Sequence, residues 1–577
     1  MTNESNTYEK WLQDERLDEQ LRKELTELVA QDALDELRER FARDLEFGTG
    51  GLRAKMGVGT NRLNRYTVRK ATYGVVRWIQ SQFAGKEQSI VIGYDGRHHS
   101  AEFAHEVASV AAAHGVLAYV YADARPTPML SFAVRHLGCA AGVMITASHN
   151  PPEYNGYKVY GADGGQVLPD AAVQIVRFTQ EVVDLFAVPV MDFPSAVHEG
   201  FVRTVETSVE EAYFAALHPL HRNIAQESKD HTTIVYTPLH GTGGSAVPRA
   251  LREAGFENIV LVDKQSYLDG NFTNVKNPNP EEYVAYDLAL ETAKEVAADV
   301  IMATDPDADR VGVMAKDNAG NYVFFSGNEI GALLLSDYLP ELAVQGKLTK
   351  DAVMVTTNVT SDFGEVIAKS YGVQTERTLT GFKYIGDRIE AYEQQGNQRF
   401  VFGYEESVGY LALPFVRDKD SVQAAILIAN LIAALRAKGT NLVEAREALY
   451  TKFGYFQDKL LSYTFIGLTG LQKMNDFMQS LRMEPLFVAL SKTLVVEDYL
   501  SGEKTYADGT QDKLTLPSSD VLQFRFADNS WVAVRPSGTE PKLKVYVGVK
   551  GKDKDQAKTL LQTYVAAIED RIRPLLA

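Results

Sequence analysis

The segment Cys139-Ala140-Ala141-Gly142-Val143-Met144-Ile145, followed at once by Thr146-Ala147-Ser148-His149-Asn150-Pro151, decides how this chain is read. A short apolar run that stops at loop residues predicts a buried strand over Cys139–Ile145. A polar loop at the carboxyl end of such a strand is where open α/β proteins bind ligands. The loop presents one hydroxyl, that of Ser148. Alone, it reads either as a structural loop serine or as a reaction centre, and the remainder of the chain weighs on that choice.

Working outward, one pattern occurs three times. Ser89–Asp95 reads as a strand, Ala101–His114 as a helix and Val116–Tyr121 as a second strand, with Gly115 between the last two. Thr232–Tyr236, a helix over Ala246–Ala254, Gly255 and Asn258–Val262 repeat it. So do Ala352–Thr357, Phe363–Tyr371, Gly372 and Val373–Thr375. Each unit is about 30 residues long, the size of a strand–helix–strand element, and its glycine sits where helices favour a left-handed cap. After each unit another apolar strand ends in an unusual polar loop. Cys139–Ile145 precedes the serine loop, Asp299–Ala303 precedes Asp305–Arg310, and Arg399–Phe402 precedes Gly403-Tyr404-Glu405-Glu406-Ser407. The tail differs: strands over Val521–Phe526, Trp531–Val534 and Leu543–Val549 lead into a helix from about Asp553 to Ile572, an α+β pattern.

The expected fold is therefore α/β in four domains, three related α/β units with mixed sheets plus a C-terminal α+β domain. Boundaries are expected at 1–200, including an N-terminal helical extension, 201–325, 326–455 and 456–577. At 577 residues the chain exceeds one hydrophobic core. Its net charge of −17 argues against nucleic acid as a partner. A single cysteine, Cys139, excludes an intrachain disulfide framework and fits a reducing, cytoplasmic setting. Trp11, Leu12, Leu17, Leu21 and Leu25 recur at helical spacing in the charged N-terminus, which lacks a signal-peptide core. No run reaches the ~20 apolar residues of a membrane span, so no membrane partner is expected.

Asp305, Asp307 and Asp309 alternate. In an extended segment, residues two apart project to one side, and three such carboxylates suit Mg²⁺ with open positions for phosphate or water. A calcium hand does not fit, because Arg310 and Lys316 stand where its glycine and glutamate belong. The loops of serine hydrolases do not fit either: no glycines flank Ser148, and Pro151 stands where a serine–lysine pair would need its lysine. His149 adjoins Ser148 and reads as a base or as a group that orients phosphate. Arg535-Pro536-Ser537-Gly538-Thr539 offers guanidinium, hydroxyl and backbone donors, the chemistry of a phosphate cradle, and equally the composition of a hairpin turn. Glu405 and Ser407 can hydrogen-bond neighbouring sugar hydroxyls. Gly241-Thr242-Gly243-Gly244 meets a loose dinucleotide pattern with Asp263 about twenty residues on, but reads better as a tight strand–helix turn.

Together these loops resemble those of the α-D-phosphohexomutase superfamily, over nearly the whole chain and in the family's order. The resemblance implies four domains around a central cleft. It implies a phosphoryl group carried by Ser148 and Mg²⁺ held by Asp305, Asp307, Asp309 and an oxygen of that phosphate. It further implies glucose 1-phosphate and glucose 6-phosphate as substrates, with glucose 1,6-bisphosphate as intermediate and activator. Arg53, in Phe47–Arg53, resembles the family's N-terminal active-site arginine. Lys158 matches a lysine that assists proton transfer, and Lys419 matches one close to the substrate. Arg310, Thr380, Gly381 and Lys383 resemble further substrate contacts, beside Glu405, Ser407, Arg535, Ser537, Gly538 and Thr539. Val408-Gly409-Tyr410 follows the sugar loop where the bacterial mannose/glucose branch carries a histidine. This makes Lys419 the better candidate acid and points to the longer phosphoglucomutase/phosphopentomutase group. Phosphopentomutase, phosphomannomutase, bisphosphate synthase and a non-catalytic sugar-phosphate sensor are the competing readings. A monomer or small homo-oligomer is expected.

Overall fold

The computed structural model describes residues 3–48, 50–85, 87–465, 467–483, 490–536 and 542–576. They form two compact units, one of residues 1–327 with 382–441, the other of 328–381 with 442–577.

The first unit contains two mixed sheets. Strands β1 (Gly51–Lys55), β2 (Ser89–Tyr94), β3 (Leu117–Val120), β4 (Ala141–Ile145), β5 (Tyr154–Gly161) and β6 (Val202–Thr204) lie in the order β1-β5-β4-β2-β3-β6. The β4-β2-β3-β6 part is parallel, and β5 runs antiparallel to both β4 and β1. Every residue of β2 and β4 is buried, as expected for parallel strands covered on both faces. The chain leaves β2 for β3 on one side and returns to β4 on the other. The strand order thus reverses between β2 and β4, where a crevice opens beyond the carboxyl ends.

The second sheet repeats this plan. Strands β7 (Ile234–Thr237), β8 (Ile259–Leu261), β9 (Val300–Thr304), β10 (Val311–Lys316) and β11 (Tyr322–Phe325) are ordered β11-β10-β9-β7-β8. Here β7 is parallel to β8 and β9, so the reversal falls between β7 and β9. Serine loop and aspartate loop therefore leave equivalent strands, β4 and β9, at equivalent reversal points. Gly115, Gly255 and Gly372 close the three predicted helices with φ of +74°, +92° and +75°, the left-handed caps read from the sequence. The first unit also holds the hairpin Arg399–Glu405/Gly409–Leu411.

The N-terminal extension forms three helices, Asn3–Gln13, Glu19–Ala30 and Leu34–Phe41. Trp11, Leu17, Leu25, Leu37 and Phe41 bury against Val58 and Tyr66. The Tyr66 hydroxyl accepts from Asp18 N and donates to Arg16 O, both at 2.7 Å, which ties the connection between the first two helices to the body.

In the second unit, Ala352–Thr357 pairs in parallel with Gln374–Thr378, and helix Asp362–Ser370 connects them. The tail is a seven-stranded antiparallel sheet that includes the predicted strands Leu522–Phe526, Trp531–Pro536 and Lys542–Gly551. Helix Lys554–Leu576 covers it, with Tyr564, Ile568 and Ile572 buried against Phe524, Val532 and Val545. Strands Thr493–Asp498, Glu503–Tyr506 and Gln511–Lys513 extend this sheet beyond what the sequence reading foresaw. No single helix among the described residues is long and apolar enough to cross a membrane.

Candidate active site

Ser148 is not a raised, exposed hydroxyl. It is 3% exposed, with φ of +52°, a left-handed conformation uncommon outside glycine. Its N–H donates to Thr146 Oγ1 at 2.9 Å, and the Thr146 hydroxyl donates to Asp95 Oδ2 at 2.6 Å. The Ser148 hydroxyl donates to Asp305 Oδ2 at 2.6 Å and stands 3.2 Å from His149 Nδ1. Burial and the nearby Arg310 and Arg53 cations hold the His149 imidazole well below its ordinary pKa, so it is neutral at pH 7. Arg53, on β1, donates to Asn150 Oδ1 at 3.2 Å.

The aspartate trio converges, but not along an extended segment. Residues 306–309 turn, Ala308 has φ of +51°, and Ala308 N donates back to Asp305 O at 2.9 Å. Asp309 N and Arg310 N both donate to Asp305 Oδ1, at 3.2 and 3.0 Å. The turn, rather than strand alternation, places one carboxylate oxygen of each aspartate within 4.8 Å of the others. Asp307 Oδ1 and Asp309 Oδ1 are buried with no hydrogen-bond partner. Two orphaned buried carboxylate oxygens in a cluster of three hard ligands fit a small divalent cation that keeps places for phosphate or water. Burial, together with the charges of Asp307 and Asp309, pushes the Asp305 carboxyl well above the usual carboxylate range when no cation is present.

Two lysines reach the same cluster. Lys158, on β5, lies 2.7 Å from Asp307 Oδ2 and 3.5 Å from Asp309 Oδ2. Lys419 lies 3.1 Å from both Asp309 Oδ2 and Asp418 Oδ1. Burial works against both charges, yet the facing carboxylates overcome it and raise both pKa values, so both are ammonium ions. Thr127, at the start of helix Thr127–His136, donates its hydroxyl to Asp307 Oδ2 at 2.9 Å. The sequence reading missed Asp95, Arg97, Thr127 and Asp418. A signal existed for the first pair, because Asp95-Gly96-Arg97 leaves β2 beside the loop leaving β4.

The Gly241–Gly244 segment is a tight turn, as expected, and it braces the aspartate loop. Thr242 N donates to Pro306 O at 2.8 Å, and a Cβ on Gly241 would fall 2.4 Å from Pro306 Cα. In the sugar loop Glu405 is buried while Ser407 is half-buried, and Val408 O accepts from Val311 N at 3.0 Å, joining the loop to β10. Gly409 has its own reason: a Cβ there would sit 2.1 Å from Lys419 Cδ. Arg310 pairs with Glu281. Lys383 is the second residue of helix Phe382–Gln395, with its ammonium 5.2 Å from the Tyr384 ring centroid.

Ser148, His149, Arg53, Lys158, Lys419 and the three aspartates thus meet in the first unit. Thr380, Gly381 and Arg535 belong to the second. There Thr380 Oγ1 donates to Asn358 Oδ1 at 3.4 Å, Gly381 has φ of +120°, and Arg535 lies near the end of strand Trp531–Pro536. Ser537, Gly538 and Thr539 lie outside the described residues.

The fold is shared with solved structures. A phosphomannomutase from Thermus thermophilus superposes with TM-score 0.66 at 22% identity, covering 91% of this chain and 99% of its own. Paramecium pp63/parafusin, a phosphoglucomutase, superposes in its open form with TM-score 0.68 at 18% identity, covering 92% and 95%. Sequence similarity is closer with the phosphoglucomutase of Staphylococcus haemolyticus, 37% identical over 91% of this chain and 94% of that one. The Staphylococcus aureus RF122 phosphoglucomutase is 39% identical over 89% and 91%. Residues 44–184, 211–320 and 326–453 match the models of α/β/α domains I, II and III of phosphoglucomutase/phosphomannomutase. Residues 493–566 match that of the C-terminal domain, and the chain belongs to the phosphoglucomutase/phosphomannomutase family within the α-D-phosphohexomutases.

Proposed function

We propose that this enzyme is a Mg²⁺-dependent phosphoglucomutase that interconverts glucose 1-phosphate and glucose 6-phosphate through phosphoserine 148 and glucose 1,6-bisphosphate. One observation carries the reading. The Ser148 hydroxyl, delivered by one domain, is hydrogen-bonded at 2.6 Å to the first member of an aspartate trio delivered by another. The names of the curated relatives favour glucose over pentose or mannose.

Phosphoryl transfer depends chiefly on positioning and on neutralising charge. A Mg²⁺ held by Asp305, Asp307 and Asp309 would supply Lewis-acid neutralisation of phosphoryl oxygens. The chain supplies the rest. The strongly depressed basicity of His149 suits it to orient the oxygen on Ser148 rather than to remove a proton. Lys158 and Lys419, both charged, offset the carboxylates beside Ser148 and would add positive charge for a phosphoryl group there. Arg53 reaches the serine loop through Asn150. Glu405 and Ser407 take sugar hydroxyls. The resemblance to the family assigns sugar contacts to Arg310, Thr380, Gly381 and Lys383, and contacts with the phosphate that is not reacting to Arg535, Ser537, Gly538 and Thr539.

In the first half-reaction the bond from phosphorus to Ser148 Oγ breaks as a bond to a sugar hydroxyl oxygen forms. That hydroxyl loses its proton and Ser148 Oγ gains one. The bisphosphate then turns over, and its other phosphoryl group returns to Ser148 by the reverse exchange. The single cysteine, buried and free, accords with a reducing cytoplasm.

The test joins two measurements. Incubation with glucose 1,6-bisphosphate and Mg²⁺ should place phosphate on Ser148 by peptide mass mapping. The kcat/KM for glucose 1-phosphate should exceed that for mannose 1-phosphate and ribose 1-phosphate. Phosphate on another residue, or a preference for ribose 1-phosphate, refutes the assignment.

A further inference from the structure

Arg97 stands three residues beyond the end of β2, at the switch point that also releases the serine loop from β4. Its side chain is 0% exposed. Its guanidinium donates to four carbonyls, all in the segment that carries Ser148. Nη2 reaches Ser148 O at 2.6 Å and Asn150 O at 2.5 Å, and Nη1 reaches Pro151 O at 2.9 Å and Tyr154 O at 3.0 Å. Nε faces Asp95 Oδ2 at 3.3 Å. That same carboxylate oxygen accepts from Thr146, whose hydroxyl oxygen receives the Ser148 N–H. The Asp95–Arg97 pair therefore grips the serine from its amide side and its carbonyl side together.

The far face of the guanidinium is also held. The Phe272 ring centroid lies 4.8 Å from Arg97 Cζ, in cation–π range. Phe272 comes from the segment after β8, in the domain that carries the aspartate loop. It is buried with φ of +50°, a strained conformation that persists where the surroundings over-determine it. Its neighbours interlock with the Arg97 segment as well: His98 Nε2 and Asn271 Oδ1 are 2.8 Å apart. Contacts between the same pair of domains thus lie both at the Ser148 hydroxyl, where it meets Asp305, and behind the loop, where Arg97 meets Phe272.

A planar fork of five donors is what four converging carbonyls require; an ammonium has three donors and no fork. We infer that Arg97 is a positioning residue for phosphoryl transfer. It fixes the left-handed Ser148 loop at the height where Oγ meets the aspartate cluster, and Phe272 fixes Arg97 from the aspartate-loop domain. The inference rests on Ser148 as the phosphoryl carrier.

The experiment compares Arg97→Lys, Arg97→Met and Phe272→Leu with wild type, with Ser148→Ala as control. Single-turnover transfer from glucose 1,6-bisphosphate to Ser148 is followed by intact mass, beside steady-state kcat and KM for glucose 1-phosphate and the thermal midpoint. A displaced nucleophile predicts transfer and kcat about 100-fold lower in Arg97→Lys, with KM within about threefold. The loss should deepen in Arg97→Met and be smaller in Phe272→Leu. A purely structural role would lower the midpoint and the active fraction while leaving kcat per folded molecule unchanged, and that result overturns the inference. If the Arg97 variants do not fold, Phe272→Leu decides, since wild-type transfer in that variant also overturns it. Full activity in Ser148→Ala would instead remove the phosphoserine assignment, and this inference with it.

Discussion

The Ser148 hydroxyl donates to Asp305 Oδ2 at 2.6 Å across 157 residues of sequence, so the proposed nucleophile and the proposed ion site are one construction made by two domains. Asp307 and Asp309 complete that site with oxygens that lack hydrogen-bond partners. Asp307→Asn should therefore weaken divalent binding, read by Mn²⁺ electron paramagnetic resonance. It should also lower kcat/KM on the order of 10³-fold, the several kcal/mol expected from lost charge neutralisation. Unchanged Mn²⁺ binding would show that the trio is a structural acidic turn.

Lys158 offsets the same carboxylates from the other side, 2.7 Å from Asp307. Removing one partner of a buried ion pair costs about 3–5 kcal/mol, because a buried charge is left uncompensated. Lys158→Met should be destabilised by that order in the presence of a chelator. The deficit should shrink when Mg²⁺ is added, because the cation neutralises the same oxygens. Denaturant midpoints of both proteins with and without Mg²⁺ check this, and a deficit indifferent to Mg²⁺ contradicts it.

Much of this was legible in the chain because strand periodicity and loop chemistry are local. Cys139–Ile145 before Ser148 and Asp299–Ala303 before Asp305 mark the two delivering strands without any tertiary information. The way the trio converges was not legible, since it depends on the left-handed Ala308 and on amides folding back to Asp305. Arg97 was missed for a related reason: its partners are backbone carbonyls, which carry no residue-type signal. The burial of Ser148 follows from the approach of the aspartate-loop domain, a contact that no local pattern encodes.

Gly409 is explained by Lys419, whose stem lies where a Cβ would go. The position of this lysine beside Asp309 thus depends on a missing side chain in the sugar loop. Gly409→Ala should displace Lys419 and reproduce most of the kcat loss of Lys419→Met, with the double variant no worse than the more damaging single. Such non-additivity is the mark of residues acting through one contact. Independent, additive losses measured by steady-state kinetics would break the link.

Asp420 adds a pH-dependent term to stability. It caps helix Ser421–Ala437, accepting from Val422 N at 2.9 Å and Gln423 N at 3.1 Å, with the Tyr213 hydroxyl and Gln423 Nε2 also donating to it. Burial outweighs those donors and raises its pKa from 3.8 to about 6. The folded value lies above the unfolded one, so the favourable contribution is complete below the unfolded pKa and is lost as pH rises through about 6. The whole window amounts to about 3 kcal/mol. Asp420→Asn keeps a capping oxygen and does not titrate. The stability of wild type relative to this variant should therefore fall by about that amount between roughly pH 4 and pH 7. Urea unfolding of both proteins across the range isolates the effect, because every other titrating group cancels in the difference. A difference that stays flat with pH would mean that the four donors, rather than burial, set the charge of Asp420.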